Sequence, residues 1–125
     1  MSSRILVIDD DASALDIVNT IFEGRGFEVI RHCDGVSALR ELGSSRPDVI
    51  IIDLMMPAMT GQACVREMRN RGVTVPIVAF TALDDPQAHQ EAEQAGCTKV
   101  IVKPCKFNDL VCQIEALVFE KEQTE

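Results

Sequence analysis

The stretch VIIID, residues 49–53, is an apolar run of four residues that ends in an aspartate. Comparable apolar runs occur at residues 5–8 (ILVI) and 100–102 (VIV). A continuous apolar run, with no alternation of polar and apolar residues, is typical of a strand covered on both faces, as in a parallel sheet. Together with two further candidates at residues 28–32 and 77–81, these runs predict five strands.

Helical segments separate the strand candidates. Apolar residues recur in them at helical spacing, and glycines follow the first three stripes as stop signals. The stripes are Leu15, Val18 and Phe22; Val36, Leu39 and Leu42; Cys64, Val65 and Met68; and Phe107, Leu110, Val111, Ile114, Leu117 and Val118. The segment that begins at Pro86 differs, because its apolar face contains only alanines and is predicted to be weakly held. Five successive βα units predict an α/β fold with helices on both faces of one parallel sheet.

The 125 residues are the size of one domain, predicted as residues 1–125 with a core at about 4–118 and a polar tail at 119–125. A net charge of −8 disfavours direct binding to nucleic acid or to an anionic membrane surface. No stretch approaches the length of a membrane span, and no signal peptide is recognisable. These features predict a cytoplasmic protein without membrane insertion.

The five cysteines, Cys33, Cys64, Cys97, Cys105 and Cys112, include no CxxC pair. A redox sensor or a metal site is one interpretation of them. The favoured interpretation is that most are small, buried apolar side chains.

Ionisable or hydroxyl side chains stand at the ends of four of the five predicted strands. Ligands of an open parallel sheet collect at the carboxyl ends of its strands. Several carboxylates suit Mg²⁺, while an ammonium and a hydroxyl beside them suit a phosphoryl group. Each residue alone is explained as a helix cap or a turn residue, so the joint placement is what indicates a site. The residues are Asp9, Asp10 and Asp11 after the first strand, Asp53 after the third, Thr81 closing the fourth and Lys103 after the fifth.

The same residues give the chain a family resemblance. The motifs VIDDD, IIIDLMMPAMTG, VAFTA and VKP, in this order, resemble those of the response-regulator receiver domains of two-component signalling and chemotaxis. The match extends from about Arg4 to Val118. It implies a flavodoxin-like (βα)5 fold, doubly wound, with strand order 2-1-3-4-5.

The resemblance implies a role for each acidic residue. Asp53 resembles the phospho-acceptor, whose carboxylate becomes an acyl phosphate. Asp10 resembles the direct Mg²⁺ ligand and Asp9 a ligand that acts largely through water, while the backbone carbonyl of Met55 completes the set. Asp11, one residue further on, is expected to begin the first helix.

The resemblance also implies the residues around the phosphoryl group. Thr81 resembles the switch hydroxyl that binds a phosphoryl oxygen, with the Ala82 N–H beside it. Lys103 resembles the lysine that pairs with the phosphoryl group, and Pro104 the proline whose preceding peptide is commonly cis. Gly61 matches the loop after the acceptor.

The chain departs from the family pattern at several positions. Val100 stands where the family usually has an aromatic residue, and a Val side chain conveys only a modest packing change. Cys105 stands where the family often has Phe. Met55 and Leu83 flank the site and offer no polar group to orient water, so we predict slow hydrolysis of a phospho-aspartate.

The function implied by the resemblance is a phosphorylation-activated signalling switch, not an enzyme. Its expected donor is a sensor histidine kinase or a histidine phosphotransfer protein. Its expected target is an effector protein at the face formed by strands four and five and the last two helices. The alternatives are a phosphorelay intermediate, a phosphate sink or a receiver cut from a larger regulator. A degenerate interaction module is disfavoured, because Asp10, Asp53, Thr81 and Lys103 are all present. An Mg²⁺-dependent aspartyl phosphatase is disfavoured, because it needs an Asp where this chain has Met55.

Overall fold

Five parallel strands form one sheet in the computed structural model, which describes residues 3–123 and the side chains of residues 3–119. The strands are β1 (Arg4–Ile8), β2 (Glu28–His32), β3 (Val49–Ile52), β4 (Ile77–Thr81) and β5 (Lys99–Val102). The sheet order is β2-β1-β3-β4-β5, so the predicted doubly wound topology is confirmed. The inner strands β1, β3 and β4 are largely apolar and buried, as expected for strands covered on both faces, whereas the edge strands β2 and β5 are partly exposed.

Helices cover both faces of the sheet. Alternate residues of each strand point to opposite faces, so that Ile5 and Val7 of β1 pack in one cluster and Leu6 and Ile8 in the other. The helices are α1 (Ala12–Glu23), α2 (Gly35–Arg40), α3 (Leu42–Ser45), α4 (Gly61–Asn70), α5 (Pro86–Ala95) and α6 (Phe107–Gln123). The cluster of Ile5 and Val7 includes residues of α1 and α6, and the cluster of Leu6 and Ile8 includes residues of α2, α4 and α5. None of the helices within residues 3–123 is long and apolar enough to cross a membrane.

The second helical segment differs from its prediction, because it is broken into α2 and α3 at Glu41. The predicted face with Val36 is also wrong, since Val36 is 48% exposed while Ala38 and Leu39 are buried. Gly35 explains why α2 is rotated about its axis relative to the predicted face. A Cβ at this position would lie only 3.3 Å from Cys64 Sγ of α4. The close approach of α2 to α4 therefore turns small residues inward and Val36 outward.

The alanine-faced helix α5 matches its prediction. Pro86 occupies its first turn, and Gly96 ends it with φ +123°, a conformation that favours glycine. Its buried residues are Ala88, Ala92 and Ala95. Because methyl groups bury little area, this helix gains less from packing than α1 or α4 does.

Two further predictions concern the cysteines and the C-terminal segment. All five thiols are free, but only Cys64 and Cys97 are buried, so the expectation that most are buried is wrong. The last helix, α6, continues to Gln123 through most of the segment predicted as a polar tail. Thr124 and Glu125 lie outside the described residues.

Candidate functional site

Three carboxylates meet where β1 and β3 end. Ile8 and Ile52 are paired in the parallel register, so Asp9 and Asp53 follow at equivalent positions, and the Asp53 N–H donates to the Ile8 carbonyl at 3.0 Å. One oxygen each from Asp9, Asp10 and Asp53 lies within 4.8 Å of the others. Asp9 is buried, Asp53 is half-buried and Asp10 is exposed, so the cluster opens to solvent on one side.

Backbone amides hold two of these carboxylates in place. Asp9 Oδ1 accepts the Asp11 N–H at 3.0 Å, and Asp53 Oδ1 accepts the Met55 N–H at 3.0 Å. Asp11 itself caps α1, accepting from the Ser13 N–H at 2.9 Å, as the sequence predicted. The amides therefore fix Oδ1 of each carboxylate, so that Oδ2 is the oxygen that meets positive charge.

Lys103 brings a positive charge to the same cluster. Its Nζ lies 2.8 Å from Asp9 Oδ2, 3.6 Å from Asp53 Oδ2 and 5.1 Å from the centre of the Phe80 ring. Burial alone lowers the pKa of Lys103. The hydrogen bond to Asp9 and the negative charges of Asp9 and Asp53 outweigh burial, so the net pKa of Lys103 is raised and the ammonium is charged at neutral pH.

Thr81 lies beside these groups at the end of β4. Its side chain is fully buried, and its carbonyl accepts the Lys103 N–H at 2.7 Å. Its hydroxyl oxygen accepts the N–H of Leu83 at 3.2 Å, whereas Ala82 between them is exposed. The peptide between Lys103 and Pro104 is cis, as the resemblance implies.

The donor set fits a hard divalent cation. Three carboxylates offer one oxygen each within a small radius, and Mg²⁺ prefers oxygen ligands and keeps part of its water shell. No Cys or His ligand atom belongs to this group of residues. A carboxylate-lined, partly open site of this kind suits Mg²⁺ better than Zn²⁺, which favours nitrogen and sulfur ligands.

The chain matches a family model described as the response regulator receiver domain over residues 5–115. The chain belongs to this family. It is 37% identical over 116 residues to the DNA-binding response regulator MtrA of Mycolicibacterium paratuberculosis, an alignment that covers 93% of this chain and 51% of that protein. It is 34% identical over 118 residues to the response regulator MprA of Mycobacterium ulcerans, covering 94% and 51%. The chain therefore spans about half the length of the curated relatives it matches.

Solved structures agree with this assignment. The chemotaxis protein CheY4 of Vibrio cholerae superposes with a TM-score of 0.87 at 31% identity, and the alignment covers 94% of this chain and 99% of that chain. Receiver domains of two-component systems are regulatory, and no enzyme family is indicated for this chain.

Gly61 of this receiver domain has a steric reason to be glycine. A Cβ built there would meet the carbonyl oxygen of Asp53 and would lie 2.6 Å from Leu54 Cα. Its N–H donates to the Leu54 carbonyl at 3.1 Å, which ties the first residue of α4 to the segment that begins at Asp53. The glycine thus lets α4 approach the backbone of the predicted acceptor.

Two residues of the receiver domain could not be recognised from the sequence patterns. Arg69 of α4 donates to the carbonyls of Gly96, Val73 and Val75 at 2.8–3.0 Å, and so fastens the C-terminal end of α5. His89 of α5 contacts the Leu83 carbonyl at 2.8 Å. Because both side chains bond to backbone carbonyls, which every residue offers, no motif signals either contact.

Proposed function

We propose that this receiver domain accepts a phosphoryl group on Asp53 from the phosphohistidine of a partner histidine kinase or histidine phosphotransfer protein. The single observation that supports this most is the position of Asp53. One of its oxygens accepts a backbone N–H, and the other lies 3.6 Å from the ammonium of Lys103 in a cluster of three carboxylates. The two-component relatives imply kinase partners of this type.

The transfer step uses these groups directly. An Asp53 carboxylate oxygen forms a bond to phosphorus while the phosphorus–nitrogen bond of the donor breaks, and the leaving imidazole nitrogen keeps the electron pair and takes up a proton. Lys103 stabilises the negative charge on the phosphoryl oxygens, and its raised pKa keeps it protonated for this role. The hydroxyl of Thr81 and the N–H of Ala82 donate to the same oxygens.

Asp9, Asp10 and Asp53, with the backbone carbonyl of Met55, are the residues proposed to hold Mg²⁺. When bound there, Mg²⁺ would neutralise charge on the phosphoryl oxygens and the carboxylates. Asp10 is proposed as the direct ligand, because it is the exposed member of the group and has no contact with Lys103 among the described ion pairs. Asp9 is proposed to act largely through water, because one of its oxygens is already occupied by Lys103.

An apolar groove of about 260 Å³ beside the site has room for an apolar side chain of the donor protein. Ile17 and Phe107, which are 45% and 46% exposed, form part of its lining, together with Lys103 and Asp11 at the edge of the acidic cluster. A donor must bring its phosphohistidine to Asp53, so a contact surface continuous with Lys103 suits that approach.

The output is proposed to pass through the face formed by β4, α5, β5 and α6. The β4–α5 loop follows Thr81, and the buried face of α5 is made of alanines, which bury little apolar area. A downstream effector protein in the cytoplasm is the expected partner. A phosphorelay intermediate, a phosphate sink and a receiver domain within a longer regulator share the same phospho-accepting chemistry and differ only in the fate of the phosphoryl group.

Transfer to Asp53 is tested with a phosphorylated histidine kinase and, separately, with phosphoramidate, whose phosphorus–nitrogen bond resembles that of phosphohistidine. We expect Mg²⁺-dependent incorporation of one phosphoryl group, located on Asp53 by peptide mass spectrometry and lost with EDTA. Slow hydrolysis of the product is expected because Met55 and Leu83 offer no polar group to an attacking water. Incorporation elsewhere in the chain, or none from either donor, would refute the proposal, and a phospho-lifetime of seconds would refute the expected slow hydrolysis.

A further inference from the structure

Leu83 joins the end of β4 to α5 through its own peptide groups. Its N–H donates to the hydroxyl oxygen of Thr81 at 3.2 Å, and its carbonyl accepts from Nε2 of His89 at 2.8 Å. Two consecutive hydrogen bonds therefore connect the predicted switch hydroxyl to a side chain of α5. The two loop residues after it, Asp84 and Asp85, are exposed, so Leu83 is the half-buried residue of the loop that makes this connection.

His89 is well placed to pass a movement of the loop to the helix. A carbonyl can only accept, so Nε2 carries the proton in this contact. The backbone N–H of His89 donates to the carbonyl of Asp85 at 3.0 Å in the first turn of α5, so the residue is part of the regular helix. A displacement of the Leu83 carbonyl must therefore either break the contact or move the first turns of α5 with it.

The two ends of α5 are held differently. At the C-terminal end, Arg69 donates to the Gly96 carbonyl from Nε at 3.0 Å and from a terminal nitrogen at 2.8 Å. At the N-terminal end, the side chain of His89 contacts the carbonyl of Leu83 in the preceding loop, and Asp85 caps the helix by accepting the Gln87 N–H. Between the ends, the buried side chains are alanines, which interlock little with the core. The fixed end and the weakly packed middle let α5 pivot about Arg69.

We propose that His89 is the positioning residue through which movement of Thr81 reaches α5, with the Arg69 contact as the pivot. The proposal rests on the proposed function, because phosphorylation of Asp53 is the event that draws Thr81 toward the site. When Thr81 turns, Leu83 loses its hydrogen bond or follows it, and His89 transmits the change to the first turns of α5.

The test compares the wild type with His89→Ala, His89→Gln and the control Gln87→Ala. Gln can place an amide N–H near the position of Nε2, so it should restore the contact. Gln87 lies on the same helix, is exposed, and bonds only to Glu91 through its side chain among the described contacts, at 3.3 Å. Phosphorylation by phosphoramidate and Mg²⁺ is quantified by intact mass, and amide hydrogen exchange of residues 86–95 is measured with and without it.

We expect all four proteins to be phosphorylated to similar extents. Phosphorylation should change the rate of amide exchange in the first turns of α5 in the wild type, His89→Gln and Gln87→Ala. In His89→Ala, exchange in these turns should already be about fivefold faster than in the wild type before phosphorylation, and phosphorylation should change it little. An unchanged response in phosphorylated His89→Ala, or no recovery in His89→Gln, would overturn the inference while leaving the proposed function intact. A wild type that takes up no phosphoryl group would refute both.

Discussion

Replacing Asp53 by Asn should abolish phosphorylation and leave stability nearly unchanged, because the charge interactions of Asp53 almost cancel. At an effective dielectric constant of about 20, the attraction to Lys103 at 3.6 Å is worth roughly 4–5 kcal/mol. Taken at the 4.8 Å limit, the repulsion from Asp9 is worth roughly 3–4 kcal/mol, and that from exposed Asp10, in a water-like dielectric, about 1 kcal/mol. The substitution removes all three, so the free energy of unfolding should change by less than about 1 kcal/mol.

Two measurements check this balance in metal-free buffer. The chain has no Trp and no Tyr, so unfolding in urea is followed by far-ultraviolet circular dichroism. Phosphoramidate with Mg²⁺ then tests phosphoryl uptake by intact mass. Asp11→Asn is the matched control, because it removes the same charge one residue from the cluster and Asn still caps α1. It should fold and be phosphorylated like the wild type.

Either measurement can refute the reasoning. Phosphoryl uptake by Asp53→Asn at the wild-type rate would show that Asp53 is not the acceptor. The Asn oxygen can keep the hydrogen bond from the Met55 N–H. A decrease of more than about 3 kcal/mol in the free energy of unfolding would therefore show that Asp53 contributes packing or hydrogen bonds beyond the charges counted. An increase of that size in the free energy of unfolding would mean that the repulsions are less screened than assumed.

Further substitutions test other parts of the site and core. Lys103→Met should lower the free energy of unfolding, measured in urea, by about 2–4 kcal/mol, because it leaves the buried carboxylate of Asp9 without its ion pair. An unchanged unfolding midpoint would contradict the ion pair. Gly61→Ala should cost about 1–3 kcal/mol by overpacking against backbone, whereas Gly43→Ala, with no atom within 4 Å of its Cβ, should cost less than about 1 kcal/mol. Burial raises the pKa of Cys64 to about 11, so iodoacetamide at pH 8 should alkylate it roughly 100-fold more slowly than exposed Cys112, and equal rates would contradict its burial.

The strands could be predicted from the sequence because the length of an apolar run indicates the length of the strand, and its continuity indicates burial on both faces. Three strands match the predicted bounds, and the other two begin one residue earlier, at Arg4 and Lys99. These two polar residues belong to the sheet through backbone pairing, with Glu28 and Val78 respectively, which their side chains do not signal. Pairing therefore extends a strand beyond the residues whose burial predicts it.

The break in the second helical segment could not be predicted in the same way. Spacing placed Val36, Leu39 and Leu42 on one face, which is a property of the isolated helix. The orientation of α2 is instead decided by the approach of Gly35 to Cys64, a contact between segments far apart in the chain. Tertiary packing overrides local periodicity where a small residue permits close contact.

Some residues of the site could likewise be predicted from the sequence, and others could not. Strand-end positions brought Asp9, Asp53 and Lys103 together because neighbouring parallel strands end at the same edge of the sheet. The connections made by His89 and Arg69 could not be foreseen, since each is a side chain bonded to a backbone carbonyl, and every residue offers such an acceptor. Sequence patterns predict groups defined by chemical type, but not contacts that use the common backbone.

The acidic character of the chain is unevenly distributed, and its concentration at one edge is explained by phosphate chemistry more readily than by stability. Asp9, Asp10 and Asp53 lie together and Lys103 contacts only the first and the last among the described ion pairs, which leaves a local excess of two negative charges. For stability alone, a neutral residue at Asp10 would be favoured, because the carboxylate there gains no described ion pair and repels two neighbours. An arrangement that costs the folded state energy and keeps one face open to solvent is what a cation and a phosphoryl group require.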